Sequence, residues 1–148
     1  MKSNIGPTAV LTLILILLLA ACGQQQASAP TGDSLPGSAL ENTTWTMTSM
    51  AKTKPLPGAE ITAGFIGGDM SGSTGCNNYF GAYQTNGDRL TLEGGGVTEM
   101  ACLTPDGVME QETRFLDYWN QVERFHLTAE QLTLFTRAGE HLIFVPRP

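Results

Sequence analysis

Tyr79-Phe80-Gly81-Ala82-Tyr83, then Asn86-Gly87, then Arg89-Leu90-Thr91-Leu92, is the stretch on which the fold turns. Aromatic and apolar side chains alternate with small or polar ones on both sides of an Asn-Gly pair. Asn-Gly tolerates the positive φ of a type I′ turn, so the segment predicts two antiparallel strands joined by a tight hairpin. Upstream, Trp45 and Met47 alternate with Thr44, Thr46 and Thr48, and Ile61, Ala63 and Phe65 alternate with Thr62 and Gly64. This period of two marks half-buried strands. Downstream, Phe125-His126-Leu127, Leu132-Thr133-Leu134-Phe135 and Leu142-Ile143-Phe144-Val145 are separated by polar turns around Ala129-Glu130 and Ala138-Gly139, which predicts a three-stranded meander. One segment follows a different period. From Pro105-Asp106 to Val122 the apolar residues Met109, Phe115, Leu116, Trp119 and Val122 recur at helical spacing, and Pro105 with Asp106 suits a helix start. The expectation is an α+β fold: a curled, mostly antiparallel sheet of open-barrel type with one amphipathic helix packed on it.

The N-terminal region has another character. Lys2 precedes an apolar run from Ala9 to Leu19, and Ala20-Ala21 stand before Cys22. A basic start, a short apolar core and small residues at a cleavage point are the layout of a removable signal peptide, here residues 1–21. Leu19-Ala20-Ala21-Cys22 resembles the lipobox of bacterial lipoproteins, which implies a diacylglyceryl group on the Cys22 sulfur and an acylated new N-terminus. Each buried methylene contributes about 0.8 kcal/mol, so several chains anchor stably where one binds marginally. Residues 22–39, rich in Gln, Ser, Ala, Pro and Gly, read as a flexible tether with a reach of roughly 20 to 25 Å. Residues 40–148 then form one domain of ordinary size. Lipoproteins that remain in an inner membrane tend to carry Asp after the lipidated Cys; Gly23 stands there, which implies an outer-membrane, periplasm-facing location in a Gram-negative cell. In a Gram-positive cell the same leader implies the outer face of the plasma membrane.

Charge narrows the partners. The chain has a net charge of −6, and loss of Lys2 with the leader makes it −7. Nucleic acid requires clustered Lys and Arg to displace counterions, and this chain has no such cluster. Anionic headgroups repel an acidic domain too, so membrane attachment is expected through the lipid on Cys22.

Cys76 and Cys102 are the other two cysteines. Outside the cytoplasm thiols oxidise, and a disulfide between these two is the simple expectation; closing that loop contributes about 3.5 kcal/mol in the chain-entropy model. A free reactive Cys76 and a metal site are the alternatives, but zinc needs further ligands and only His126 and His141 are available, both in strand patterns. No metal or cofactor is expected.

The segment Ser71-Gly72-Ser73-Thr74-Gly75-Cys76-Asn77-Asn78-Tyr79-Phe80-Gly81-Ala82-Tyr83, with Thr98 and Met100-Ala101-Cys102 downstream, resembles the META domain of the HslJ-like family. Leu40 and Trp45 fit that family's first strand, Glu112-Thr113-Arg114-Phe115-Leu116 looks like its helix, and Leu132-Thr133-Leu134 with Leu142-Ile143-Phe144 looks like its closing strands. Trp119 departs from the family, where an aliphatic residue is more usual. The resemblance implies an α+β fold found in envelope lipoproteins linked to heat-shock or envelope stress and to drug tolerance, with no agreed enzymatic activity. Gly75, Asn77, Asn78, Tyr79, Phe80, Gly81 and Tyr83 are its motif residues.

Residue chemistry agrees with a non-catalytic reading. Gly67, Gly68, Gly72, Gly75 and Gly81 suit bulges and turns in a curled sheet better than a phosphate cradle, which needs a Lys and a following helix. Asn77 and Asn78 suit turn capping, with ligand binding the alternative. Ser73 misses the nucleophile-elbow pattern because residue 71 is Ser rather than Gly. His126 and His141 fit structural strand positions, and Glu110, Glu112 and Asp117 fit a solvated helix face. Trp45, Tyr79, Phe80, Tyr83 and Trp119 are expected in the core. The function expected is a non-enzymatic, lipid-anchored envelope protein that binds a protein or envelope component. The alternative is a hydrolase-inhibitor or glycan-binding module using the loop Lys52-Thr53-Lys54-Pro55-Leu56-Pro57-Gly58.

Overall fold

In the computed structural model, which describes residues 39–148, the strands are β1 (Thr43–Met50), β2 (Thr62–Ile66), β3 (Asp69–Ser73), β4 (Asn78–Asn86), β5 (Arg89–Val97), β6 (Val122–Leu127), β7 (Leu132–Thr136) and β8 (His141–Pro146). Helix α1 (Val108–Trp119) lies between β5 and β6 in the chain. The signal peptide, the lipidated Cys22 and nearly all of the tether fall outside the described residues. Every strand pairs antiparallel with its neighbours in sequence, and β8 pairs with β1. The curled antiparallel sheet with one helix is therefore the architecture, and its curl is complete: the sheet closes into a barrel.

Alternation decides which side chains fill it. Trp45, Met47 and Met50 of β1, Ala63 and Phe65 of β2, Tyr79 and Tyr83 of β4, and Leu132 and Leu134 of β7 point inward and are buried, with Leu142 and Phe144 of β8 beside them. The central hairpin pairs Asn86 with Arg89, which leaves Gly87-Asp88 as the turn, and only Gly87 has positive φ. That matches a type II′ turn, with Gly at its first position, rather than the type I′ turn expected at Asn86-Gly87. The reason is register: Thr85 and Leu90 must face each other inside, and that pairing fixes the turn one residue later.

Helix α1 stops at Trp119, where the Asn120 N–H closes the last turn on the Leu116 carbonyl. Val122, expected at its end, instead opens β6 and pairs with Thr136. The helix buries Val108, Gln111, Glu112, Phe115 and Trp119. Phe115 and Trp119 pack on Tyr79 with ring centroids 5.2 and 4.9 Å away, in the tilted and edge-on geometries aromatic pairs favour.

Candidate functional site

The motif turn between β3 and β4 holds a buried polar cluster. Asn77 is 1% exposed. Its Nδ2 donates to Glu112 Oε1 and to the Met100 carbonyl, each at 3.0 Å, and its Oδ1 accepts from Met100 N at 2.7 Å and Thr98 Oγ1 at 2.8 Å. Both donors and both acceptor positions of the amide are thus satisfied. Glu112 also accepts from Asn77 N at 3.1 Å and from the Thr74 hydroxyl. Glu112 is 7% exposed, so it does not lie on a solvated helix face as the sequence suggested. The spacing Val108, Glu112, Phe115, Trp119 turns it inward, and three donors take the place of water around its charge.

Gly75 fixes the same turn. Its φ is +101°, and a Cβ there would stand 2.7 Å from Gln111 Nε2 and 2.8 Å from the Ala59 carbonyl. Cys76 and Cys102 are joined in a disulfide with Cα atoms 5.9 Å apart. Motif turn, residues 98–102 and α1 are consequently one latch, closed by a covalent bond at its edge and a hydrogen-bonded carboxylate at its centre.

Beyond the turn the motif alternates between two faces. Tyr79 points inward and its hydroxyl donates to the Thr62 carbonyl at 2.8 Å. Tyr83 is inward too, edge-on to Phe65, and donates to Glu41 Oε2 at 2.9 Å. Glu41 also accepts from the N–H groups of Gly67 and Gly68 in the β2–β3 turn. Those donors, Gly67 N–H foremost and the Tyr83 hydroxyl next, hold the Glu41 carboxyl below its ordinary pKa. Burial, reinforced by the Glu41 carboxylate, pushes the Tyr83 hydroxyl well up. Asn78 and Phe80 face outward. Phe80, expected in the core, is 55% exposed, and its ring lies over Gly96 across the strand pair.

Next to Phe80 the barrel has a seam. β5 and β6 meet at one residue pair, Arg89 with Arg124, supported by a 2.8 Å hydrogen bond from Phe125 N to the Asp88 carbonyl. Further along, β5 parts from β6 and a cleft of about 500 Å³ opens beside α1. Leu90, Leu116, Trp119 and Val122 give it apolar walls, Tyr79 and Phe80 connect it to the motif, and Arg89, Arg137 and Glu123 lie along it. A concave site of this size, with apolar walls and a few charged groups, has the make-up of a ligand cleft.

A family model for the META domain matches residues 38–148. This chain belongs to the META domain family. Two solved structures resemble this META domain: an NMR structure of a protein from Burkholderia xenovorans, 27% identical, covering 73% of this chain and 83% of its own, with a TM-score of 0.62; and a second NMR structure, 28% identical, covering 72% and 90%, with a TM-score of 0.57. The crystal structure of a DUF4847 family protein from Bacteroides vulgatus, 13% identical, covers 74% and 95% with a TM-score of 0.52 and shares the fold. No curated protein matches the chain.

The remaining sequence candidates of this META domain stand apart from the cleft. His126 and His141 are exposed on their strands, His141 edge-on to Phe135. Ser73 Oγ accepts from Gly75 N at 3.0 Å and serves the turn. Glu110 and Asp117 are exposed, while Glu112 belongs to the latch. Among the described residues no three His, Cys, Asp or Glu side chains gather as a metal site. Lys52 and Lys54 are exposed on a loop fastened at Leu56, whose N–H donates to Gln111 Oε1 at 2.6 Å. The sequence marked neither Gln111 nor the cleft arginines Arg89 and Arg137, and it placed Glu112 on the solvated helix face. Two polar residues inside an apolar helical stripe were the available signal for Gln111 and Glu112; nothing local marks the arginines, which approach the cleft only through barrel closure.

Proposed function

We propose that this META domain is the binding part of a non-enzymatic, lipid-anchored envelope protein that engages a protein or envelope component in stress or drug tolerance. The observation that carries the reading is the cleft at the β5–β6 seam. It combines apolar walls with Arg89, Arg137 and Glu123, and it adjoins Tyr79 and Phe80 of the motif. The Leu19-Ala20-Ala21-Cys22 segment supports the anchor.

Two experiments test it. Envelope extracts passed over the oxidised, lipid-free protein from Leu35 onward should yield a retained component, and Arg89→Glu with Arg137→Glu should abolish retention; no retained component refutes the binding role. Globomycin should cause an unprocessed precursor to accumulate, and normal processing under the drug refutes the lipid anchor.

A second reading is favoured by the Lys52–Gly58 loop, which is exposed, held by the Met50–Thr53 bridge and fastened to Gln111. A fixed projecting loop suits a hydrolase inhibitor. Inhibition of a protease or lysozyme that disappears with Lys52→Ala and Lys54→Ala would move the assignment there.

A further inference from the structure

The proposed binding role leaves the chemistry of the partner open, and the geometry of the seam narrows it. From Thr91 to Val97, β5 has β4 on one side and, among the described residues, no strand on the other. Edge strands in stable proteins are commonly guarded by Lys, Pro or inward charge, because their free N–H and C=O groups template pairing with another chain. Thr91-Leu92-Glu93-Gly94-Gly95-Gly96-Val97 has neither Lys nor Pro and carries one charge; a bulge at Gly94-Gly95, both at positive φ, interrupts it, so its regular open edge is Thr91–Glu93. Its own guard is the cleft: the open edge faces a recess beside α1.

Charge at the recess runs against that of the whole molecule. The chain is acidic, yet Arg89 and Arg137 both line the cleft and neither has an ion-pair partner among the described residues. The one lining carboxylate, Glu123, lies 3.9 Å from Arg124. Trp119 of the wall is packed tightly. Trp119 is 3% exposed, and its Nε1 is the one buried side-chain nitrogen or oxygen without a hydrogen-bond partner among the described residues.

We propose that the cleft receives an extended, acidic segment of a partner protein, which adds to β5 as a further strand. Its backbone supplies alternating donors and acceptors to Thr91–Glu93, before the bulge. Apolar side chains on its inner face lie against Leu116 and Trp119, and carboxylates on its outer face reach Arg89 and Arg137. Strand addition takes affinity from the main chain and specificity from alternate side chains. A fatty acid would match the apolar walls and one arginine, but it would leave the β5 edge unpaired, and this favours the peptide. The inference rests on the binding role proposed for the same cleft.

The test uses the full chain in nonionic detergent, titrated with an acetylated, amidated eight-residue peptide of alternating valine and glutamate, followed by amide and indole NMR shifts. Saturable binding, with shifts at Thr91–Glu93 and at the Trp119 indole, is the expected result. The same peptide N-methylated at alternate residues should bind at least 100-fold more weakly. Arg89→Glu with Arg137→Glu, both at exposed positions, should weaken the parent peptide at least tenfold while leaving the melting temperature unchanged. No binding at 1 mM, equal binding of the N-methylated peptide, or decanoate in the cleft that the peptide cannot displace would each overturn strand addition. If the peptide fails while the arginine reversals still abolish retention from envelope extracts, the binding role stands and only the strand mode falls. The N-methylated arm needs no protein variant and decides the question even if the double variant misfolds.

Discussion

Asn77→Ala tests whether the family motif is an internal latch. The substitution removes five side-chain hydrogen bonds, two of them to Met100, one each to Thr98 and Glu112, and a weak one to Cys76 Sγ. Thr98 and Met100 are exposed, so water replaces much of what they lose. Glu112 is buried, and its Oε1 loses the donor that the structure provides. A typical net hydrogen bond contributes about 1 kcal/mol and an unsatisfied buried charged acceptor costs more, so the loss should be about 2 to 4 kcal/mol. For a domain of this size, roughly 4 °C of melting temperature accompanies each kcal/mol, which gives a decrease of about 8 to 16 °C. Asn78→Ala is the control. Asn78 is exposed and takes part in the network only through its backbone, so it should stay within about 0.5 kcal/mol of the parent. Thermal melts followed by circular dichroism under oxidising conditions would compare the two. A decrease below about 4 °C for Asn77→Ala, or equal decreases for both variants, would refute the latch.

Other perturbations read other parts of the barrel. Gly72→Ala would place a Cβ 2.0 Å from the Thr62 carbonyl and should cost about 3 kcal/mol or more, whereas Gly87→Ala, at φ +61° in open space, should cost about 1 kcal/mol by urea denaturation. Glu41 has its pKa lowered from 4.5 in the fold, so its contribution is present above that pH and is lost as pH falls further; Glu41→Gln should flatten the acid limb of a stability-against-pH curve. Tyr83 has its pKa raised from 10.0, so its contribution is complete below pH 10 and declines as pH rises beyond it; Tyr83→Phe should flatten the alkaline limb only in part, because burial raises Tyr79 as well. Trp119→Phe removes an unpaired N–H along with some contact and should stay within about 1 kcal/mol of the parent, against about 3 to 5 for Trp119→Ala, measured by denaturant midpoint.

Where a strand alternates cleanly, its place was legible. Trp45 and Met47, Ala63 and Phe65, Tyr79 and Tyr83, and the C-terminal meander all stand on the side that period two assigns them. Two strands escaped because glycine hides alternation. β3 is written Asp69-Met70-Ser71-Gly72-Ser73, and the second half of β5 is Glu93-Gly94-Gly95-Gly96-Val97; neither shows an alternating apolar pattern. Glycine is required there for close backbone approach: a Cβ on Gly95 would fall 1.9 Å from the Phe80 carbonyl. The error at Phe80 has the opposite origin. An aromatic residue suggested the core, but its neighbour Tyr79 takes the inward position, and two consecutive strand residues cannot share a face. Motif residues were recognisable as turn formers. Their partner Glu112 was not, because its burial depends on where a distant helix docks.

The cleft follows from chain order. In a closed meander each short turn brings two strands together from one end, and residues 67–68 and 87–88 do so for their pairs. β5 and β6 have no such turn; residues 98–121 intervene and carry α1, so these strands meet only at the far end, at Arg89 and Arg124. An unsupported gap would close or fluctuate, yet this one is framed. Its β5 side continues into residues 98–102, held by Asn77 and the disulfide, and its α1 side is held by Glu112, Gln111 and the stack of Phe115 and Trp119 on Tyr79. Latch and cleft are then two aspects of one device, in which the disulfide fixes a recess that the β5–β6 register cannot. Reduction should therefore weaken binding at the cleft before it unfolds the barrel. Titration of the alternating valine–glutamate peptide with and without reductant, at a temperature where the far-ultraviolet spectrum is unchanged, measures this; equal affinity in both states would separate the latch from the site.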